Sequence, residues 1–150
     1  MEGATQEVLW LSRVLAGRGM PRLLLERHLA TLADELDAVR PEDGERWAVL
    51  REVSQMLTER RHAVQSEETL EGLDRSFDAA VRGSGNADAV SAADRLPRMG
   101  ALLAAAVADE RDGVANSVDS LLAWAGDPER FSQAWIDAVN ETLTQARAHS

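Results

Sequence analysis

A chain of 150 residues, 45% of them apolar and with a net charge of −10, is long enough for one domain over 1–150 with a sizeable core and too apolar to be disordered. The acidic balance excludes nucleic-acid binding, which needs clustered cations, and binding to an anionic membrane surface. The absence of cysteine excludes a disulfide framework, a thiolate metal site, a thiol nucleophile and thioether-linked cofactors.

No apolar stretch reaches the roughly eighteen residues of a membrane span. The opening MEGATQEV has neither the basic nor the apolar region of a secretory signal, so a cytoplasmic location is expected. Every cationic side chain is arginine, which together with abundant alanine points to a GC-rich bacterial genome.

In chain order, the first predicted helix covers Thr5 to Ala16, with Val8, Leu11, Val14 and Leu15 inward and Trp10 at the far edge. GRGMP, Gly17 to Pro21, reads as a helix end, a tight loop and a proline opening the next helix. That helix, Pro21 to Val39, repeats Leu25, Leu29, Leu32, Leu36 and Val39 at coiled-coil-like spacing, with His28 flanking. Pro41 biases Arg40 out of the helical region. A third helix then runs from Glu42 or Glu45 to Gln65 on Leu50, Val53, Leu57 and Val64, with Trp47 at one edge.

Ser66 is an expected N-cap with Glu67 and Glu68 in the first turn. Its helix, to Arg82, turns Leu70, Leu73, Phe77, Ala80 and Val81 inward. Gly83–Asn86 is a linker and Ala87–Arg95 a short helix. Gly126 suits a left-handed helix end, Asp127 an N-cap and Pro128 a first helical position. The last helix, Pro128 to Ala148, buries Phe131, Trp135, Val139 and Leu143. No run alternates with the period of a strand.

Between them lies the longest helical pattern, Pro97 to Ala125, on which the rest is expected to pack. Met99, Leu102, Leu103, Ala106, Val107, Val114, Val118, Leu121 and Trp124 share one broad face. Glu110 sits near its centre and Ser117 nearly in line. Ser117 is cheap to bury because its hydroxyl can bond the carbonyl of Gly113. A carboxylate on a core stripe is costly unless paired or solvated. Three explanations of Glu110 stand open: a break near Asp112–Gly113 that leaves Asp109, Glu110, Arg111 and Asp112 at a solvated bend, a continuous helix in which Glu110 meets a partner across a subunit interface, and a ligand-binding or proton-sensing carboxylate in a pocket.

The chain carries few recognisable chemical motifs. His28, His62 and His149 form no HExxH-type pair. Glu59 and His62 have the Glu-x-x-His spacing of di-iron bundles, which use it twice where this chain has it once. Between Gln65 and Ala148 no histidine, cysteine or tyrosine is present for a haem, and Met99 alone could ligate. There is no GxSxG elbow and no phosphate loop. Trp10, Trp47, Trp124 and Trp135 each lie on or beside a different apolar stripe, as ordinary core or as an aromatic-lined pocket anchored by Glu110 or His28.

WLSRVLAGRGMPRLLLERHLATLADEL, Trp10 to Leu36, resembles the opening of helical sensor domains in bacterial signalling proteins, where a Trp-containing helix, an RG-x-P turn and a Leu-rich second helix start a globin-like or helix-bundle module. Similar segments open RsbR-type non-haem globin domains of the stressosome and the helical domains that precede cobalamin-binding domains in regulators. The resemblance covers about a fifth of the chain. The corrinoid motif Asp-x-His-x-x-Gly is missing, and Trp10 and Trp47 stand at the wrong distance from Glu26–His28 and Glu59–His62 for the Trp-x9-Glu-His motif, so no corrinoid role is carried over. What the resemblance implies is a dimeric sensory or interaction module.

The expectation is therefore an all-α chain, globin-like or an irregular helical bundle of about six to seven helices around a long central helix at 97–125. Its expected function is that of a non-enzymatic regulatory module, a homodimer with a protein partner in a signalling pathway, without cofactor or metal. Candidate ligand-binding residues are Glu110, Ser117, His28, Trp47, Trp124 and Trp135. The alternatives are a small-molecule or haem-type binding protein with a Trp-lined pocket, and an enzyme using Glu110 as acid or base.

Overall fold

The computed structural model describes residues 2–149. It is all-helical. Among the described residues eight α-helices follow one another, α1 (Glu2–Ala16), α2 (Arg22–Val39), α3 (Gly44–Val64), α4 (Glu67–Gly83), α5 (Ala87–Arg95), α6 (Met99–Arg111), α7 (Ser117–Ala125) and α8 (Gln133–Ala148), with a 3-10 turn at Pro41–Asp43.

The eighth helix arises because the expected central helix is broken. Val114 N–H bonds the carbonyl of Asp109 and Gly113 N–H that of Glu110, with Gly113 at φ +87°. This is the Schellman arrangement, in which a left-handed glycine ends the helix and a buried apolar residue, here Val114, follows it. Asn116, also left-handed at φ 65°, precedes α7. Ser117 is buried as expected, but its hydroxyl reaches across the break to the carbonyl of Ala106 at 2.9 Å, not to Gly113.

α6 is the centre of the molecule. From Met99 to Asp109 every residue except Leu102 is buried. Its Gly and Ala residues let neighbouring helices approach closely: a Cβ on Gly100 would lie 2.6 Å from Asp74 Cα and 2.8 Å from Phe77 Cβ of α4. Around it α4 contributes Leu70, Phe77 and Val81, α5 Ala89 and Ala92, α7 Val118, and α8 Trp135 and Val139 to one apolar cluster. A helix surrounded on all sides is apolar all round, so one broad face does not describe it.

α1, α2 and α3 form an arm. α2 and α3 are an antiparallel pair joined by the 3-10 turn, and α1 lies against both. Leu9, Leu29, Val53 and Leu57 make a second, smaller cluster there. The arm's apolar pattern is only partly covered. On α2, Leu29 is buried, Leu25, Leu32 and Leu36 are half-buried and Val39 is 76% exposed. On α1 the buried line is Leu9, Ser12 and Ala16, while Leu11 and Trp10 face outward. Ala80 of α4, expected inward, is exposed.

Two helices are capped from elsewhere in the fold. Pro21 and Arg98, which precede α2 and α6, offer no capping side chain. Asp109 of α6 accepts the backbone N–H of Arg22 at 3.0 Å, and Asp74 of α4 accepts that of Ala101 at 2.9 Å. Each carboxylate satisfies a free amide and faces the positive end of a helix dipole.

At the other boundary Gly126 has φ −103° rather than a left-handed value; a Cβ there would lie 2.9 Å from the movable end of the Leu122 side chain and 3.0 Å from the Leu122 carbonyl oxygen. Asp127 and Pro128 do not open α8. Asp127 Oδ1 accepts Glu129 N–H and its carbonyl accepts those of Arg130 and Phe131, closing a separate turn before α8 starts at Gln133.

Candidate functional site

Two places concentrate chemistry, one polar and closed, the other apolar and open. The polar place is the root of the arm. α2 turns Arg22 and Glu26, one helical turn apart, toward the rest of the molecule, and both are buried. Arg22 Nε donates to Asp109 Oδ1 at 2.8 Å and Nη2 to Asp112 Oδ2 at 2.7 Å. Glu26 accepts from Arg61 Nε and Nη2 at 3.2 and 2.9 Å and from Thr58 Oγ1 at 2.6 Å. Arg61 passes its remaining branch to Glu67 at 2.7 Å, and His62 Nε2 meets the same Glu67 oxygen at 3.0 Å.

Burial opposes the charge on Arg22 and on Arg61, but the carboxylates bonded to each outweigh it and hold both guanidinium groups above their ordinary value. Burial also pushes the Asp109 carboxyl up, against the bonds it accepts from Arg22. A buried charge with a complete set of partners is a structural joint. The hollows between α4 and α8, α5 and the loop before α8, and α4 and the α5–α6 turn are lined by none of Arg22, Glu26, Arg61 and Asp109. The joint fixes how the arm stands on α6.

The open place is a groove of about 380 Å³ where three segments meet. Gly19 and Pro21 come from the α1–α2 turn and Leu24 from the first turn of α2, Leu96, Pro97, Met99 and Leu102 from the α5–α6 region, and Leu121 and Trp124 from α7. Its floor is fixed by backbone contact. Ser120 Oγ donates to the carbonyl of Gly17 at 2.7 Å. Gly19, at φ +95°, approaches so closely that a Cβ would lie 3.1 Å from the Ser120 carbonyl oxygen. Leu24 and Trp124 on its walls and the adjoining Met20 are among the large apolar side chains the fold leaves exposed. Arg95 is the one charged side chain in the lining.

Of the six residues singled out by sequence, Trp124 alone lines this groove. Its ring meets Phe131 edge-on at 5.4 Å, Phe131 stacks on Trp135 at 4.8 Å, and Trp135 meets Phe77 edge-on at 5.1 Å. An aromatic row thus runs from the groove into the core, where Trp135 is fully buried and its Nε1 donates to the carbonyl of Ala125 at 2.9 Å. Trp47 is half-buried on the arm, and His28 is exposed on α2. Met99 is buried in the main cluster. His62 pairs with Glu67 rather than Glu59, which accepts from Gln55.

Glu110 does not sit on a core stripe. Its side chain is 41% exposed and meets Arg147 at 3.5 Å. The buried acid is its neighbour Asp109, 4% exposed. Counting back from Val114 and Val118 through Gly113 joins two helices that share no phase, and at the last turn of α6 the covered side is the one facing α2. The missed residues are Arg22, Glu26, Arg61 and Asp109. For Asp109 a signal existed: it is the first charge after the apolar run Met99–Ala108, so the burial of that helix extends to it. For the other three, nothing sets them apart from the remaining charges. No protein-family model, curated protein or solved structure matches the chain.

Proposed function

We propose that this chain is a non-enzymatic regulatory module of the globin-like or helix-bundle sensor kind, working in the cytoplasm as a homodimer that presents its surface to a signalling partner. The resemblance of Trp10–Leu36 supports the class. One observation carries the dimer: the outward side of α1. Trp10 is 66% exposed and Leu11 43%, an unusual position for a tryptophan unless a partner covers it.

The stripe is self-complementary. Glu7, Leu11 and Val14 recur at helical spacing along that side, and Arg18 follows in the exposed turn at the end of α1. Placed antiparallel about a two-fold axis midway along them, two copies set Glu7 against Arg18 and Leu11 against Val14, with Trp10 packing beside them. Glu7 and Arg18 are exposed and make no ion pair among the described residues. Such a contact is small, so the dimer is weak and concentration-dependent.

Sedimentation velocity over a concentration series tests this. The wild type is expected to dimerise at micromolar to high micromolar concentration, Trp10→Ala to remain a monomer, Glu7→Arg and Arg18→Glu each to weaken the dimer, and the two charge reversals together to restore it. A wild type that stays monomeric throughout, or a double reversal no better than either single one, refutes it.

A further inference from the structure

We infer that the groove beside Trp124 is a binding site for a medium-chain carboxylate, a hydrocarbon tail with one anionic head. The site is independent of dimerisation: α1 contributes no residue to its lining. The walls are Leu24, Leu96, Leu102 and Trp124 with Pro21 and Pro97, surfaces that gain from excluding water. Its volume of about 380 Å³ lies in the range of small-molecule sites. Almost no hydrogen-bonding side chain faces it, which suits a methylene chain and leaves the amides of an extended peptide unsatisfied.

Arg95 supplies the head-group site. In a chain of net charge −10, most arginines near this region are committed: Arg82 holds Asp78 and Asp94, Arg98 holds Glu71 and Asp74, Arg130 holds Asp127. Arg95 makes no ion pair among the described residues. Its one hydrogen bond among those residues is a long one, 3.5 Å, from Nε to the carbonyl of Ser91. Asp88 and Glu129 share a neighbouring hollow with it and pair with it in neither case. A guanidinium left unpaired at the mouth of an apolar groove selects an anion attached to an apolar body.

Isothermal titration with decanoate, hexanoate and decanol, each below its aggregation limit, tests the assignment. Decanoate is expected to bind saturably and tighter than hexanoate by about fourfold per methylene, and tighter than decanol by about fivefold. Arg95→Gln should abolish the preference over decanol while leaving decanol binding unchanged, and Leu24→Glu, on the exposed wall, should abolish binding. Equal affinity for decanoate and decanol in the wild type, a preference that survives Arg95→Gln, or binding that survives Leu24→Glu would each overturn it. Absence of saturable heat with decanoate would overturn it too, and leave the groove to a protein segment.

Discussion

Replacing Asp109 by alanine removes the partner of a guanidinium that cannot reach open water. Arg22 is 5% exposed, and it loses two bonds at once, from its backbone N–H at 3.0 Å and from Nε at 2.8 Å. Breaking a buried ion pair from one side costs about 3–5 kcal/mol, because the remaining charge is stranded. Asp112, 2.7 Å from Nη2 and itself partly solvated, offsets part of this, while the uncapped first turn of α2 adds about 1 kcal/mol. The expected loss is about 3–4 kcal/mol, a large share of the ~5–15 kcal/mol typical of a domain. Urea unfolding followed by far-ultraviolet circular dichroism reads it as a lower midpoint at unchanged slope. The double variant Arg22→Met with Asp109→Leu should lose far less than the single one, since a well-packed apolar pair replaces a buried ionic one at little cost. A loss under about 1 kcal/mol for Asp109→Ala, or a double variant worse than the single, would show that water reaches the root of the arm and that the pair is not a joint.

Other outcomes follow from single positions. Gly100→Ala should lower stability by about 1–2 kcal/mol in thermal melts, because a methyl group forced against the Asp74 backbone and Phe77 costs ~1–3 kcal/mol and the helical gain over glycine returns at most ~1 kcal/mol. Gly113→Ala should cost about 1 kcal/mol through its positive φ, whereas Gly83→Ala, within α4 and with open space around it, should cost nothing; equal effects would contradict the helix break. Burial raises the Glu67 carboxyl, but hydrogen bonds from His62 and Arg61 carry it below its ordinary value, and Arg98 does the same for Glu71. Their stabilisation is complete above the ordinary glutamate value of 4.5 and is lost as pH falls through the lowered values, while Asp109, shifted up, acts in the opposite sense. The melting temperature should therefore drop on acidification below that point, and less steeply in Glu67→Gln/Glu71→Gln; an unchanged slope would sink the assignment.

Local signals in the sequence located most elements because their causes are local. Ser66 caps α4 by accepting Thr69 N–H, and α5 spans Ala87–Arg95 as its linker and following proline imply. Gly113 marked the break, but a mid-helix glycine costs only ~1 kcal/mol, less than packing can return, so sequence alone could not choose between a bend and a continuous helix. Asp127–Pro128 looked like a helix start because a one-turn loop uses the same residues for the same hydrogen bonds. The site was least legible. Trp124, Trp135, Trp47 and Trp10 all flank apolar stripes, yet they range from groove wall to full burial to the outer surface, a difference set by which neighbouring helix reaches them. Arg22, Glu26 and Arg61 are chosen from many similar charges by the packing of α2 on α3 and α6, which no periodicity encodes.

The two carboxylates that cap other helices impose an order on the fold's loosening. The first turn of α6 depends on Asp74 of α4 being docked, and the first turn of α2 on Asp109 of α6 being in place. Dependence thus runs from α4 to α6 to α2, so the N-terminal arm is the last layer secured although it is first in the chain. Amide hydrogen exchange should show it: amides of α2 and α3 open at a lower free energy than those of α4 and α6, as a separate cooperative unit. The groove beside Trp124 spans that seam, with Leu24 on the side that opens and Leu102 on the side that holds. Anything bound there would clamp the two layers together, so occupancy of the groove and attachment of the arm become one equilibrium.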